Sequence, residues 1–128
     1  MSESEYHQQQ KLRWAAKLSS EGYPLVFIEE KRADAVGVKG KPPLPPTLAI
    51  EVQVSERLNQ TVKNLTRDFA NGCDMVVIIA PSFYRCWVIE RQLPRYFPPE
   101  MLRRVVVTTP EEFENRPFRE LLNIKRKV

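Results

Sequence analysis

The run Leu48–Val54, LAIEVQV, most constrains this chain. In extended form it sets Leu48, Ile50, Val52 and Val54 on one side and Ala49, Glu51 and Gln53 on the other. Ser55 then opens a helix over about 56–71, in which Leu58, Val62, Leu65 and Phe69 recur at helical spacing before Gly72 stops it. Met75–Ala80, MVVIIA, follows as a continuous β-branched run, the mark of a strand buried on both faces. Strand, helix, strand in this order is a βαβ unit, which predicts a parallel pair joined by a right-handed crossover.

The flanks extend this unit on both sides. Residues 4–21 read as a helix capped by Ser4 and ended by Gly22. Leu12, Ala15, Ala16 and Leu18 give it an apolar stripe, with Trp14 beside them. Two short strands are expected at 25–28 and 33–38, with Glu29–Arg32 turning the chain between them. Lys39–Pro46 holds four prolines and cannot be helix, so it is a stiff exposed loop. Residues 82–93 are read as helix from the alternation around them, 98–103 as a helical turn, 104–108 as a fifth strand and 110–115 as a short helix. Residues 117–128 form a tail with a basic end. The expectation is a single α/β domain over 1–128, with an αβββαβ core at about 4–81, a C-terminal elaboration at 82–128 and a mixed central sheet flanked by helices.

Composition narrows the function classes. The chain has 128 residues, 42% of them hydrophobic, which suits one domain with a real core. Twenty Lys+Arg against 16 Asp+Glu leave a net charge of +4, which permits a polyanionic partner. No apolar run is long enough to cross a bilayer, and the first residues are polar, so the expectation is a cytoplasmic protein without a membrane partner. Cys73 and Cys86 form no CxxC pair and are read as reduced, partly buried thiols. His7 is the only histidine, which disfavours a Cys/His zinc site or a His-based triad, and it is read as a surface residue. No Gly-rich phosphate loop occurs among the four glycines.

The chemistry concentrates around Glu51. An ionised carboxylate in the middle of an apolar strand costs several kcal/mol unless a partner or a cation compensates. If the strand carrying Asp34 neighbours that of Glu51, the two acids converge at one end of the sheet. Two carboxylates beside an open, hydrated position suit Mg²⁺, which takes hard oxygen ligands and keeps several waters. The plain alternatives are the solvated face of an edge strand for Glu51 and Gln53, a turn residue paired with Lys31 or Arg32 for Asp34, and a helix N-terminal acid for Glu5.

Asp34, sixteen intervening residues and then Glu51-Val52-Gln53, in an αβββαβ order of elements, resembles the PD-(D/E)xK nuclease superfamily, which includes many restriction endonucleases and the archaeal Holliday-junction resolvases. The resemblance covers about residues 4–81. It implies a restriction-endonuclease-like core and a metal-dependent nuclease acting on DNA. Asp34 and Glu51 would hold Mg²⁺ or Mn²⁺, the backbone carbonyl of Val52 would add a ligand, and Gln53 would stand where the family usually has Lys. Ala33 stands where the family name has Pro. Members often carry an acid on the first helix, for which Glu5 is the candidate and Glu3 and Glu21 are competitors. Lys31, Arg32, Lys39 and Lys41 are expected to surround Asp34 and the proline loop as a basic rim beside the acidic centre; Lys63, Asn64 and Arg67, on the polar side of the second helix, either reach a phosphate near the metal or form a solvated face, and Ser55 either joins them or only caps the helix. Arg85, Arg91, Arg95, Arg103 and Arg104 would extend that surface. So small a core has little surface for reading sequence, which leaves room for a homodimer. The alternative, on the same fold, is a module without catalysis that binds nucleic acid or a protein.

Overall fold

The computed structural model describes residues 5–28, 33–54, 57–118 and 120–122. Along the chain they form α1 (Glu5–Ser20), β1 (Leu25–Phe27), β2 (Ala35–Val38), β3 (Leu48–Val52), α2 (Leu58–Ala70), β4 (Met75–Ile79), α3 (Phe83–Gln92), α4 (Pro99–Leu102), β5 (Val105–Thr108) and α5 (Pro110–Asn115), with a 3₁₀ turn at Leu93–Arg95. The five strands make one sheet in the order β1-β2-β3-β4-β5. The pairs β1–β2 and β2–β3 are antiparallel, whereas β3–β4 and β4–β5 are parallel. The chain is therefore α/β with a mixed sheet flanked by helices. The 48–80 unit forms the expected parallel pair, Leu48 opposite Met75 and Val52 opposite Ile79.

Every residue of β3 and β4 is buried, because helices cover both faces of these central strands. On one face Leu48, Ile50, Val52, Val77 and Ile79 pack under α1 and under Phe113, Phe118, Leu121 and Leu122. The tail thus begins by closing the core: Phe118 stacks on Phe113 at 5.0 Å, and Phe113 meets Trp14 at 4.9 Å. On the other face Ala49, Val76, Ile78 and Val107 pack under Leu65 of α2 and Cys86 and Ile89 of α3.

The buried face of α1 differs from the expected stripe. It runs through Lys11, Trp14, Ala15 and Leu18, while Leu12 is 62% exposed and Ala16 is also outside. The spacing 11, 14, 15, 18 is itself helical, and burying the Trp14 indole covers more apolar area than Leu12 could. Lys11 is admitted to this face because its ammonium meets a carboxylate, described below.

Strand and helix ends are also shifted. Asp34 lies in a bend before β2 rather than within the strand, and Gln53 lies just beyond β3, although its N–H still donates to the Ile79 carbonyl at 2.9 Å. After α2, Gly72 adopts φ +88°, a conformation that costs glycine little, and Cys73 N–H returns to the Asp68 carbonyl at 3.1 Å. The ambiguous 82–93 segment is helical, its start fixed by the Ser82 hydroxyl accepting from Arg85 N–H at 3.1 Å. Among the described residues no helix is long and apolar enough to cross a membrane.

Candidate active site

The site lies where β3 ends and is built from β3, the bend before β2, α1 and α2. The register sets Ala35 opposite Ile50, so Asp34, one residue earlier, arrives beside Glu51 and Val52. Its Oδ2 accepts the Val52 N–H at 2.6 Å. A side chain takes the donor that another ladder bond would use, so the β2–β3 pairing stops there. Asp34 Oδ1 lies 3.2 Å from His7 Nε2 and 3.7 Å from Lys11 Nζ, both on α1.

Glu51 projects to the opposite face, against α2. Its Oε2 accepts from Arg67 Nη2 at 2.6 Å. The same Nη2 donates to Asp68 Oδ1 at 3.2 Å, and Arg67 Nε donates to that oxygen at 3.3 Å. Gln53, on the same side as Glu51, donates its amide to the Thr61 hydroxyl, while its Oε1 accepts from Arg85 Nε at 3.4 Å. β3 is a central strand, which removes the solvated edge-strand reading of Glu51 and Gln53: they are 7% and 6% exposed.

The electrostatics follow from this crowding. Burial pushes the Asp34 carboxyl above its ordinary value, outweighing the Val52 N–H, His7 and Lys11, all of which favour its charge. Glu51 is pushed well above its ordinary value by burial, then by the neighbouring carboxyls of Asp68 and Asp34, with Arg67 opposing. Burial works against the Arg67 charge, but Glu51 and Asp68 outweigh it and raise its pKa. Three carboxyl groups thus face Lys11, Arg67 and His7. The crevice above Glu51, Gln53, Thr61 and Asn64 has a volume of about 10 Å³, room for about one water. A larger cavity of about 310 Å³ opens beyond Asp68, between Phe27, Val36 and Cys73.

Among the described residues no group of three or more His, Cys, Asp or Glu side chains is arranged to hold a metal ion. A cation here would rest on the Asp34 and Glu51 carboxylates, the Val52 carbonyl and water. Oxygen donors of this type are the ones Mg²⁺ and Mn²⁺ accept, few at a time and with retained waters. Crowded carboxyls whose charged forms are disfavoured are also what a cation relieves.

Other expected residues are placed less centrally. Glu5 is exposed in the first turn of α1, and the α1 side chains that meet Asp34 are His7 and Lys11 instead. His7 is therefore part of the site rather than a bystander on the surface. Glu21, at the far end of α1, pairs with Lys17 at 2.6 Å and accepts the Phe118 N–H at 2.7 Å. Lys39 and Lys41 are exposed but do not flank Asp34: antiparallel β2 carries the chain away from the acids, and both lysines follow its far end. Lys63 is exposed on α2, whereas Arg67, expected to reach a phosphate, holds Glu51. Arg104 is a structural cation, donating to the Cys73 and Asp74 carbonyls at 2.6 and 2.7 Å. Glu3, Lys31, Arg32 and Ser55 lie outside the described residues.

The sequence reading missed Lys11, Thr61 and Asp68. The signal for Lys11 was its place on the Trp14–Leu18 face of α1, where a lysine calls for an acid. That for Asp68 was its place three residues after Leu65, on the inner side of α2. No family model matches the chain, and comparison with curated proteins and with solved structures likewise finds no match.

Proposed function

We propose that the protein is a metal-dependent nuclease that hydrolyses DNA phosphodiester bonds, with a restriction-endonuclease-like core. The observation that supports this reading most is that Asp34 and Glu51, both buried, occupy neighbouring register positions at the end of β3, with Gln53 two residues beyond Glu51. In this reading Asp34 and Glu51 hold Mg²⁺ or Mn²⁺, joined by the Val52 carbonyl. A cation held there would supply Lewis-acid chemistry, polarising a phosphoryl oxygen and making a water more acidic. Gln53, fixed between Thr61 and Arg85, offers its amide to orient the attacking water or a phosphate oxygen. The cation that the family usually supplies as Lys has two substitutes: Lys11 beside Asp34 and Arg67 beside Glu51. Both can offset phosphate charge that would otherwise repel the acids.

The Arg67–Glu51 ion pair and the deep burial of Glu51 favour the second reading, a module on the same fold that binds nucleic acid or a protein without cutting. A cleavage assay separates the two. Labelled single-stranded, duplex and branched DNA are incubated with Mg²⁺ or Mn²⁺, and wild type is compared with Glu51→Ala. Metal-dependent cutting that disappears in the variant is the expected result. No cutting of any substrate, together with no Mn²⁺ binding by calorimetry, would replace the nuclease with the non-catalytic module.

A further inference from the structure

Helix α3 begins four residues after β4 ends, on the same side of the sheet as the Glu51–Gln53 face. It buries Cys86 and Ile89 and turns large aromatic groups outward. Phe83 and Tyr84 are each 73% exposed and Trp87 is 53% exposed. A soluble surface rarely displays three such rings together without a use. They are also ordered relative to one another: Tyr84 stacks with Trp87 at 6.1 Å between centroids and 27° between planes, and the Arg91 guanidinium lies 4.8 Å from the Trp87 ring centre. From another face of the same helix Arg85 reaches back to Gln53 at 3.4 Å, so the helix that carries the stripe also borders the site.

We propose that this Tyr84–Trp87–Arg91 stripe is a stacking platform for the bases of single-stranded nucleic acid, which it leads to the acids at the end of β3. The chemistry of the stripe favours this occupant. Exposed rings interleaved with guanidinium groups stack on bases and neutralise the adjoining phosphates, and every base offers a π-face. Segment 83–95 carries three arginines, Arg85, Arg91 and Arg95, against the single acid Glu90, a charge balance complementary to a polyanion. An aliphatic face for a second copy of the chain would not need these cations. Duplex DNA hides its base faces and would engage only the arginines. The proposal deepens the nuclease reading by naming its substrate form, and depends on that reading only for the destination of the strand.

Binding can be tested without catalysis. Trp14 is 1% exposed, so quenching of tryptophan fluorescence by a ligand reports on Trp87. The full chain in EDTA is titrated with a labelled oligo(dT) and with a duplex of the same length, reading both anisotropy and quenching. Oligo(dT) is expected to quench Trp87. Trp87→Ala and Tyr84→Ala should each weaken oligo(dT) binding about tenfold while leaving duplex binding and the melting temperature nearly unchanged. Equal oligo(dT) affinity in wild type and Trp87→Ala would overturn the platform. So would a dimer, seen by sedimentation, that Trp87→Ala dissolves, because the stripe would then be a self-interface. Single-strand binding in a protein that never cuts would retain the platform and discard the nuclease. Metal-dependent cutting of single-stranded DNA that Trp87→Ala leaves undiminished, with oligo(dT) affinity unchanged, would do the reverse.

Discussion

Asp34 and Val52 are joined by a side-chain-to-backbone hydrogen bond of 2.6 Å across the end of the β2–β3 pair. This bond lies where the ladder ends and holds the Asp34 carboxyl against the backbone of Val52, the residue after Glu51. It also brings Asp34 within reach of Lys11, which is 5% exposed. Asp34→Ala would leave a buried N–H unpaired and take a carboxylate away from the buried Lys11 ammonium, at a cost of about 3 kcal/mol. Asp34→Asn keeps an acceptor for Val52 and should cost less than half as much. Urea denaturation of the two variants checks this, and equal losses would show that the hydrogen bond to Val52 contributes nothing.

Glu51 gives a pH dependence of definite sign. Its folded-state pKa is raised well above the ordinary 4.5, so the folded chain holds a proton that the unfolded chain releases. Stability from this group is fully present below 4.5 and is lost as pH rises toward the folded value. Asp34 is shifted in the same direction and adds to the loss. Glu51→Gln mimics the protonated carboxyl. In EDTA it should raise the melting temperature at neutral pH by a few degrees and flatten the decline above pH 5. Added Mn²⁺ should stabilise wild type and not Glu51→Gln. A variant less stable than wild type at pH 7 would count against the raised pKa.

Cys73 is predicted to be inert. Burial pushes its thiol up to about 11, followed by the charges of Asp68, Glu51 and Asp74, with Arg104 opposing. The thiolate is the nucleophile, so at pH 8 the folded protein should alkylate at Cys73 at least tenfold more slowly than the protein in urea. Asp68→Asn removes one of the charges that raise the thiol and should speed the folded-state reaction. Peptide mapping after iodoacetamide treatment separates Cys73 from Cys86. Rapid folded-state modification would show that the segment opens far more often than its packing implies.

The central architecture was readable because it rests on local pattern. The alternation of Leu48–Val54 and the apolar Met75–Ala80 run announce two buried strands, and the helix between them makes their pairing parallel. Asp34 and Glu51 could be brought together from sequence because antiparallel pairing of β2 with β3 is a short-range consequence of the loop between them. The partners of these acids were not readable. Lys11 reaches Asp34 through tertiary packing of α1 on the sheet. The packing face of α1 is not set by apolar residues alone: Leu12 and Ala16 face out while Lys11 is buried. Lys39 and Lys41 are close to Asp34 along the chain but not in space, because β2 intervenes and carries them to its far end.

Arg67 offers the sharpest separation of stability from function. One guanidinium bridges Glu51 and Asp68, two acids that would otherwise face each other under α2. Arg67→Ala removes both contacts. Because Arg67 remains 32% exposed at its side chain, water screens part of the effect, and a loss of about 1–3 kcal/mol is expected at pH 7. That loss should shrink as the pH falls and Glu51 takes up its proton. Arg67→Lys should recover little, since an ammonium lacks the planar fork that serves two carboxyls at once. At the same time the acids lose the positive charge that competes with a metal ion, so Mn²⁺ should bind Arg67→Ala more tightly than wild type, by about tenfold. Calorimetric titration with Mn²⁺ and urea denaturation on the same samples read the two effects. Weaker Mn²⁺ binding in a folded Arg67→Ala protein would mean that Arg67 orients Glu51 for the ion rather than competing with it.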